Sequence, residues 1–277
     1  MLKHIKRIII LIISLLVFVF DCISGWFQSL FNKDKAICVI LYYHAVYPEE
    51  KKAFAQQMDD LLRWTKPICI NDIDKIKPGL RYCAVTFDDG FTCVLDNALP
   101  ELAKRNILST LFIPSGCLGK RPPWLDERNA DHKNVVMTEA QLNSLDKNLV
   151  CIGSHCRTHP NLLQISRDEA RKEIIQSKRE LEDVLNTPIE VISFPEGDFN
   201  NTHIDMAIQA GYKNAYSILP EMIHAGSDSF IRGRVKVDPS DWRLEYRLKL
   251  LGAYRWLPIA FLIKQRLNIH KSIISYN

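Results

Sequence analysis

The chain has 277 residues, of which 47% are hydrophobic and 25% are charged. These values are typical of a globular protein with a packed core, and they exclude a disordered or low-complexity chain. The net charge is only +4, which a solvated surface explains, so we expect no nucleic-acid partner.

The N-terminal segment, residues 1–31, differs in kind from the rest. Lys3, Lys6 and Arg7 precede an apolar run over residues 8–20. This pattern predicts a membrane anchor or a cleaved signal peptide, and the poor cleavage site favours the anchor. Because the basic flank precedes the run, the positive-inside rule predicts a body outside the cytoplasm. The eight cysteines form no regular framework and favour a reducing compartment instead.

Strand-like and helix-like segments alternate from residue 36 to residue 240. The predicted strands are 36–43, 82–87, 109–113, 149–152, 189–194, 214–219 and 230–237. The predicted helices are 52–64, 95–105, 202–210 and two that open with capping boxes at 138–141 and 166–169. This alternation predicts an α/β fold with parallel strands. About seven such units favour a β/α barrel, and the alternative is an open doubly wound sheet.

The C-terminal segment, residues 241–277, mixes basic and apolar side chains. We expect it to be a basic amphipathic extension, largely helical over residues 241–267. Such a helix either covers the barrel or lies on an anionic membrane surface beside the anchor. The chain then has three parts: an anchor at 1–31, a barrel at 36–240 and this extension.

Two motifs carry the chemistry, and each follows a predicted strand. The sequence Thr-Phe-Asp-Asp-Gly at residues 86–90 places Asp88 and Asp89 side by side, where a cation would relieve the repulsion of their charges. Asp-Asp-Gly is also an ordinary turn sequence. His155 and His159, four residues apart after the strand at 149–152, have a spacing suited to a metal. One carboxylate and two imidazoles are typical of a catalytic zinc or similar divalent ion.

Together these motifs resemble the first two motifs of the polysaccharide deacetylases, carbohydrate esterase family four, over about residues 37–240. Leu-Tyr-Tyr-His at residues 41–44 is similar to the opening of the family's exopolysaccharide branch. The resemblance implies a distorted (β/α)7 barrel. It implies Asp88 as general base and Asp89, His155 and His159 as ligands of a divalent metal, with Zn²⁺ the expected ion. The metal would polarise the acetyl carbonyl and activate water.

Two family features are altered in this chain. Ser-Phe-Pro-Glu-Gly at residues 193–197 stands in place of the third motif, so Glu196 replaces an aromatic residue and offers its backbone N–H to the oxyanion by resemblance. The Arg of that motif is missing, and Arg234 is either its substitute or a surface residue. The final Leu-x-His motif, which supplies the general acid, is reduced to Met-Ile-His at residues 222–224. We expect His224 to be the acid, ahead of His44 and of a solvent-facing His203.

The predicted function is therefore a metal-dependent hydrolase that removes acetyl groups from N-acetylated sugars of a polysaccharide, held at a membrane by its N-terminus. A related enzyme would hydrolyse another non-peptide C–N bond or an O-acetyl ester. A third hypothesis is a degenerate barrel that binds glycan without turnover.

Overall fold

The computed structural model describes residues 2–29 and 36–260. Its helices are α1 (Leu2–Ser29), α2 (Lys51–Trp64), α3 (Thr92–Asn97), α4 (Leu99–Ala103), α5 (Glu139–Asn143), α6 (Arg167–Leu185), α7 (Asn201–Gln209) and α8 (Arg243–Leu250). The end of the predicted anchor at 30–31 and the extension beyond residue 260 lie outside the described residues.

Ten strands form one sheet. They are β1 (Ile37–Tyr43), β2 (Lys66–Pro67), β3 (Arg81–Phe87), β4 (Ser109–Ile113), β5 (Val150–Ser154), β6 (Val191–Ser193), β7 (Asn214–Tyr216), β8 (Ile223–His224), β9 (Ile231–Arg232) and β10 (Val235–Lys236). The main path runs β10-β1-β3-β4-β5-β6-β7-β9, and every neighbouring pair on it is parallel. Outside this path, β2 is parallel to β3 and β8 is antiparallel to β1.

The sheet is a nearly closed barrel. Its two end strands, β9 and β10, are separated in the chain only by Gly233 and Arg234. They act as one broken strand that brings the two edges of the sheet together. This broken strand and the six others on the path form a seven-stranded barrel, as predicted, and not an open doubly wound sheet.

Residues alternate between the two faces of the barrel wall, as the strand period of two requires. Outward-facing side chains such as Leu41 and Val85 pack against the helices. Inward-facing ones such as Ile40 and Ala84 fill the lumen, together with Ile70 and other residues of a 3-10 segment after β2. This part of the barrel interior is therefore apolar. The polar side chains that could carry out chemistry lie at the carboxyl ends of the strands.

The two predicted capping boxes both form. The hydroxyl of Thr138 accepts a hydrogen bond from the N–H of Gln141, and that of Ser166 accepts one from Glu169, each at 3.3 Å. These caps satisfy N–H groups that have no partner inside the helix, and they begin α5 and α6 where the sequence indicates.

Three predicted elements are interrupted. The helix predicted at 95–105 is divided into α3 and α4 near Pro100, because proline lacks an N–H and restricts the residue before it. The helix predicted at 241–267 is interrupted after Leu250, where Gly252 has φ of 79°, and helical structure returns at residues 257–260. The strand predicted at 230–237 is broken at Gly233, so that Arg234 turns into the barrel.

Candidate metal centre and catalytic pocket

A pocket opens at the carboxyl ends of the barrel strands, where β/α barrels carry their active sites. It is lined by Tyr42, His44, Asp88, Asp89, Trp124, Leu125, Asn129, Asp131, His155, His159, Glu196, Ile218 and Lys236. Asp88 and Asp89 directly follow β3, and His155 directly follows β5. The structure thus brings together five of the six site residues predicted from the sequence, and His224 is not among them.

Asp89, His155 and His159 form the candidate metal centre. Their ligand atoms all lie within 4.8 Å of one another. Oδ1 of Asp89 is 3.7 Å from Nε2 of His155 and 3.4 Å from Nε2 of His159. A tetrahedral ion with ligand bonds of about 2.1 Å holds neighbouring ligand atoms about 3.4 Å apart. Both distances from the carboxylate oxygen therefore lie close to the spacing between ligands of one small divalent cation.

The electrostatics of Asp89 also fit a cation. Its Oδ1 is buried and has no hydrogen-bond partner among the described residues. Burial raises the pKa of this carboxyl well above its ordinary value, and the negative charge of Asp88 raises it further. A cation between Asp89 and the two imidazoles would supply the positive charge that an ionised Asp89 needs.

The two histidines are held in the form that binds metal. The carbonyl of Ser193 accepts a 2.8 Å hydrogen bond from Nδ1 of His155, which leaves Nε2 unprotonated and facing Asp89. Burial lowers the pKa of both imidazoles, and the neighbouring His155 helps to lower that of His159 to about 3. The ring of His159 stacks on Trp124 with 4.3 Å between centroids. Both rings are neutral and fixed in orientation.

Arg234 lies inside the barrel and holds Asp88. Its fully buried guanidinium donates to the two carboxylate oxygens at 2.7 and 2.8 Å. It also donates to the hydroxyls of Thr86 at 3.2 Å and Ser193 at 2.6 Å. Burial, the largest single effect, raises the pKa of Asp88, but the charge and hydrogen bonds of Arg234 together with the neighbouring imidazoles outweigh it, and the pKa lies at about 2. From the sequence, Arg234 was either a partner of Asp88 or a surface residue. The structure places it beside Asp88.

Backbone strain is concentrated in the pocket. Asp89, His159 and Glu196 have φ angles of 68°, 59° and 58°, in the left-handed region that side chains disfavour. They are three of the six non-glycine residues with positive φ in the described chain. Such conformations cost on the order of 1–3 kcal/mol each and persist where the surroundings enforce them.

The three histidines considered as general acids lie in different parts of the fold. His44 follows β1 and lines the pocket. His224 is exposed and pairs with Ile37 at the opposite end of β1, about 20 Å away along the strand. His203 is buried in the first turn of α7, so the expectation that it faces solvent is wrong. These positions do not agree with the prediction that His224 is a better candidate for the acid than His44. After β7 the chain returns to the end of the barrel opposite the pocket, and His224 lies there.

The pocket contains side chains that the sequence analysis missed. Trp124 belongs to the long connection between β4 and α5, residues 114–138, in which no strand or helix was predicted. Connections of this length inside a compact domain are commonly functional, which is the signal that could have identified it. Glu196 lines the pocket, and its carboxylate accepts a 2.7 Å hydrogen bond from the side-chain amide of Asn161.

The barrel and its pocket define a class of protein. A nearly closed β/α barrel carries a carboxylate–histidine–histidine centre at the carboxyl ends of its strands, beside a buried and ionised aspartate. This arrangement is typical of a hydrolase that uses a divalent ion.

Comparison with known proteins gives the family. The polysaccharide deacetylase family model matches residues 75–215, just over half of the chain. YxkH of Bacillus subtilis (strain 168), which is named as a polysaccharide deacetylase, is 25% identical over 229 residues, covering 79% of this chain and 77% of YxkH. The chain belongs to the polysaccharide deacetylase family.

Solved structures agree with this fold. IcaB from Ammonifex degensii superposes with a TM-score of 0.68 at 21% identity, covering 80% of this chain and 98% of that one. The Streptococcus pyogenes deacetylase PplD, solved with acetate, gives a TM-score of 0.62 at 22% identity, covering 74% and 93%. The predicted family, the barrel and the enzyme class, a hydrolase acting on non-peptide C–N bonds, are confirmed.

Proposed function

We propose that this enzyme removes acetyl groups from N-acetylated sugars of a polysaccharide or oligosaccharide, with a divalent ion held by Asp89, His155 and His159. The observation that carries the proposal is the spacing of these three ligands next to the ion-paired Asp88. Two imidazoles and one carboxylate favour Zn²⁺ among the common ions. The named activities of YxkH and PplD support the reaction type.

A divalent ion at this centre would supply Lewis acidity toward the acetyl carbonyl and a lowered pKa for water. Asp88 takes the proton of the attacking water, because Arg234 keeps it ionised and fixes the direction of its oxygens. By resemblance to the family, the backbone N–H of Glu196 donates to the acetyl oxygen as negative charge develops on it. The products are acetate and a free amine on the sugar.

We assign the proton donor for the leaving nitrogen to His44. It lines the same pocket as Asp88, whereas His224 lies at the other end of the barrel. Burial lowers the pKa of His44 to about 4, and the charge of Asp88 opposes this effect. His44 is therefore neutral in the free enzyme. It must gain its proton during turnover, in the pocket where Asp88 receives one from water.

Membrane attachment through α1 is a further part of the proposal. Residues His4–Ser24 have a mean hydropathy of 2.5, and the helix is long and apolar enough to cross a bilayer. The basic flank predicts a catalytic body outside the cytoplasm if the helix crosses.

The experiment separates metal binding from proton transfer. We expect Asp89→Asn to lose bound metal. Asp88→Asn should keep the metal and release acetate from N-acetylated oligosaccharides about 100-fold more slowly or worse. Asp131→Asn is the matched control, because Asp131 is a carboxylate in the same pocket whose Oδ1 accepts a 2.5 Å hydrogen bond from Tyr47. It should keep the metal. Identical behaviour of Asp88→Asn and Asp89→Asn would contradict the assignment.

A further inference from the structure

The apolar helix α1 has two faces. Nine large apolar side chains of α1 are exposed: Ile5, Ile8, Ile9, Ile12, Leu15, Leu16, Val19, Phe20 and Ile23. They recur every three or four residues and so form one continuous stripe along the helix. We call this the outer stripe. Nothing in the described chain covers it.

The opposite face of α1 carries polar residues at a fixed spacing. Arg7, Ser14 and Asp21 are seven residues apart, which is almost two full turns, so all three lie on one face. Ser14 is fully buried, and Ile10 and Phe18 on the same side pack against the protein core. We call this the inner stripe.

Each polar residue of the inner stripe has a partner near the C-terminus. Nε of Arg7 donates to Glu245 at 2.7 Å. The hydroxyl of Ser14 accepts a 3.0 Å hydrogen bond from the indole of Trp256. The carboxylate of Asp21 accepts two hydrogen bonds from the guanidinium of Arg255, at 2.5 and 2.6 Å.

These contacts fix α1 against the domain over about half of its length. From position 7 to position 21 the helix rises about 21 Å. A helix docked in this way cannot also cross a bilayer. Crossing would carry the charged groups beside it, including the half-buried Asp241 and the buried Glu245 and Lys249, into hydrocarbon. It would also separate α1 from the partners of its polar residues.

We propose that α1 lies in the plane of the membrane, with its inner stripe on the catalytic domain and its outer stripe in the acyl chains of a lipid bilayer. The chemistry of the stripe fits lipid, since it is wholly aliphatic and aromatic over about 27 Å. The exposed His4 and Lys6 at its start suit anionic headgroups.

Two consequences follow from this arrangement. The N-terminus and the active site lie on the same side of the membrane, whereas a crossing helix would place them on opposite sides. Because α1 does not cross, the positive-inside rule sets no side, and the eight cysteines favour the cytoplasmic one. The pocket also opens beside the first turns of α1, because Ile218 and Lys236 line both this pocket and the cavity next to Lys6 and Arg7.

The first test uses the otherwise unaltered full chain with an epitope tag at each end. Protease is added to intact spheroplasts and to inverted membrane vesicles. We expect both tags to be protected in spheroplasts and both to be digested in inverted vesicles. Tags on opposite sides would overturn the proposal, as would loss of the N-terminal tag by cleavage.

The second test examines docking in native membranes, in a Cys22→Ser background. The pair Ser14→Cys and Trp256→Cys should be joined by a short bifunctional thiol crosslinker, which spans the gap that the lost indole leaves between the two thiols. The matched control pair, Leu16→Cys with Trp256→Cys, should not, because Leu16 is 64% exposed on the outer stripe. Crosslinking of two chains through Leu16→Cys would show that a second copy covers the stripe, and would overturn lipid as its occupant.

Discussion

Replacing Arg234 should lower the free energy of unfolding by more than the loss of an exposed ion pair would. Its guanidinium is fully buried and donates to both oxygens of Asp88, which is itself 3% exposed. Arg234→Met keeps much of the volume but leaves a buried carboxylate without a counter-charge. Breaking a buried pair on one side costs about 3–5 kcal/mol. We expect the free energy of unfolding to fall by about that amount at pH 7.

The same pair predicts a dependence on pH. The folded pKa of Asp88, about 2, lies below its unfolded value of about 4. The pair therefore stabilises the fold fully above pH 4, and this contribution of about 2–3 kcal/mol is lost as the pH falls from about 4 to about 2. In Arg234→Met this loss should disappear, because the charge that lowers the pKa is gone.

Urea denaturation followed by circular dichroism measures both effects. Asp88→Asn combined with Arg234→Met should recover much of the lost stability, since no charge is then left unpaired. Arg232→Met is the matched control: Arg232 is also buried, but its partner Asp74 is 72% exposed, so the loss of that ion pair should cost about 1 kcal/mol or less. A loss below about 1 kcal/mol for Arg234→Met would refute the reasoning.

Three further predictions concern the site and the barrel. In a steady-state assay, His44→Gln should slow acetate release from amides at least about 100-fold. It should spare acetyl esters, because their leaving group depends less on protonation. His224→Gln should leave both rates unchanged. Asp89→Asn should bind less than one zinc ion per ten chains by elemental analysis, where the parent chain binds about one. The sulfurs of Cys69 and Cys151 lie 3.3 Å apart, and their hydrogen bond lowers the pKa of Cys69 to about 7. Oxidised glutathione should therefore link them and raise the free energy of unfolding by up to about 4 kcal/mol, whereas unlinked thiols on peptide mapping would contradict this.

The grouping of the three candidate metal ligands could be predicted because they follow strands. Asp89 comes directly after β3, and His155 directly after β5. In a parallel barrel all strands end at the same rim, so residues that follow different strands converge there. Alternation of strands and helices was therefore enough to bring the two motifs together.

The positions of other residues depend on how distant segments of the chain pair with one another. The local sequence pattern does not show this pairing. The last strand of the barrel, formed by β9 and β10, is broken at Gly233 and joins the two edges of the sheet. Arg234 lies at this break, and its side chain therefore enters the barrel interior. His224 was favoured by its order in the sequence, yet the chain after β7 descends to pair with the start of β1. In α1, the apolar run was clear, but the partners of its polar residues lie more than 230 residues away.

We propose that one divalent ion at Asp89, His155 and His159 enables deacetylation. The most direct test is acetate release from N-acetylated glucosamine oligosaccharides by the purified full chain, before and after removal of metal with a chelator. We predict that activity is lost with the metal and returns in proportion to added zinc, up to one ion per chain. Acetate release that persists unchanged in the metal-free protein would contradict it.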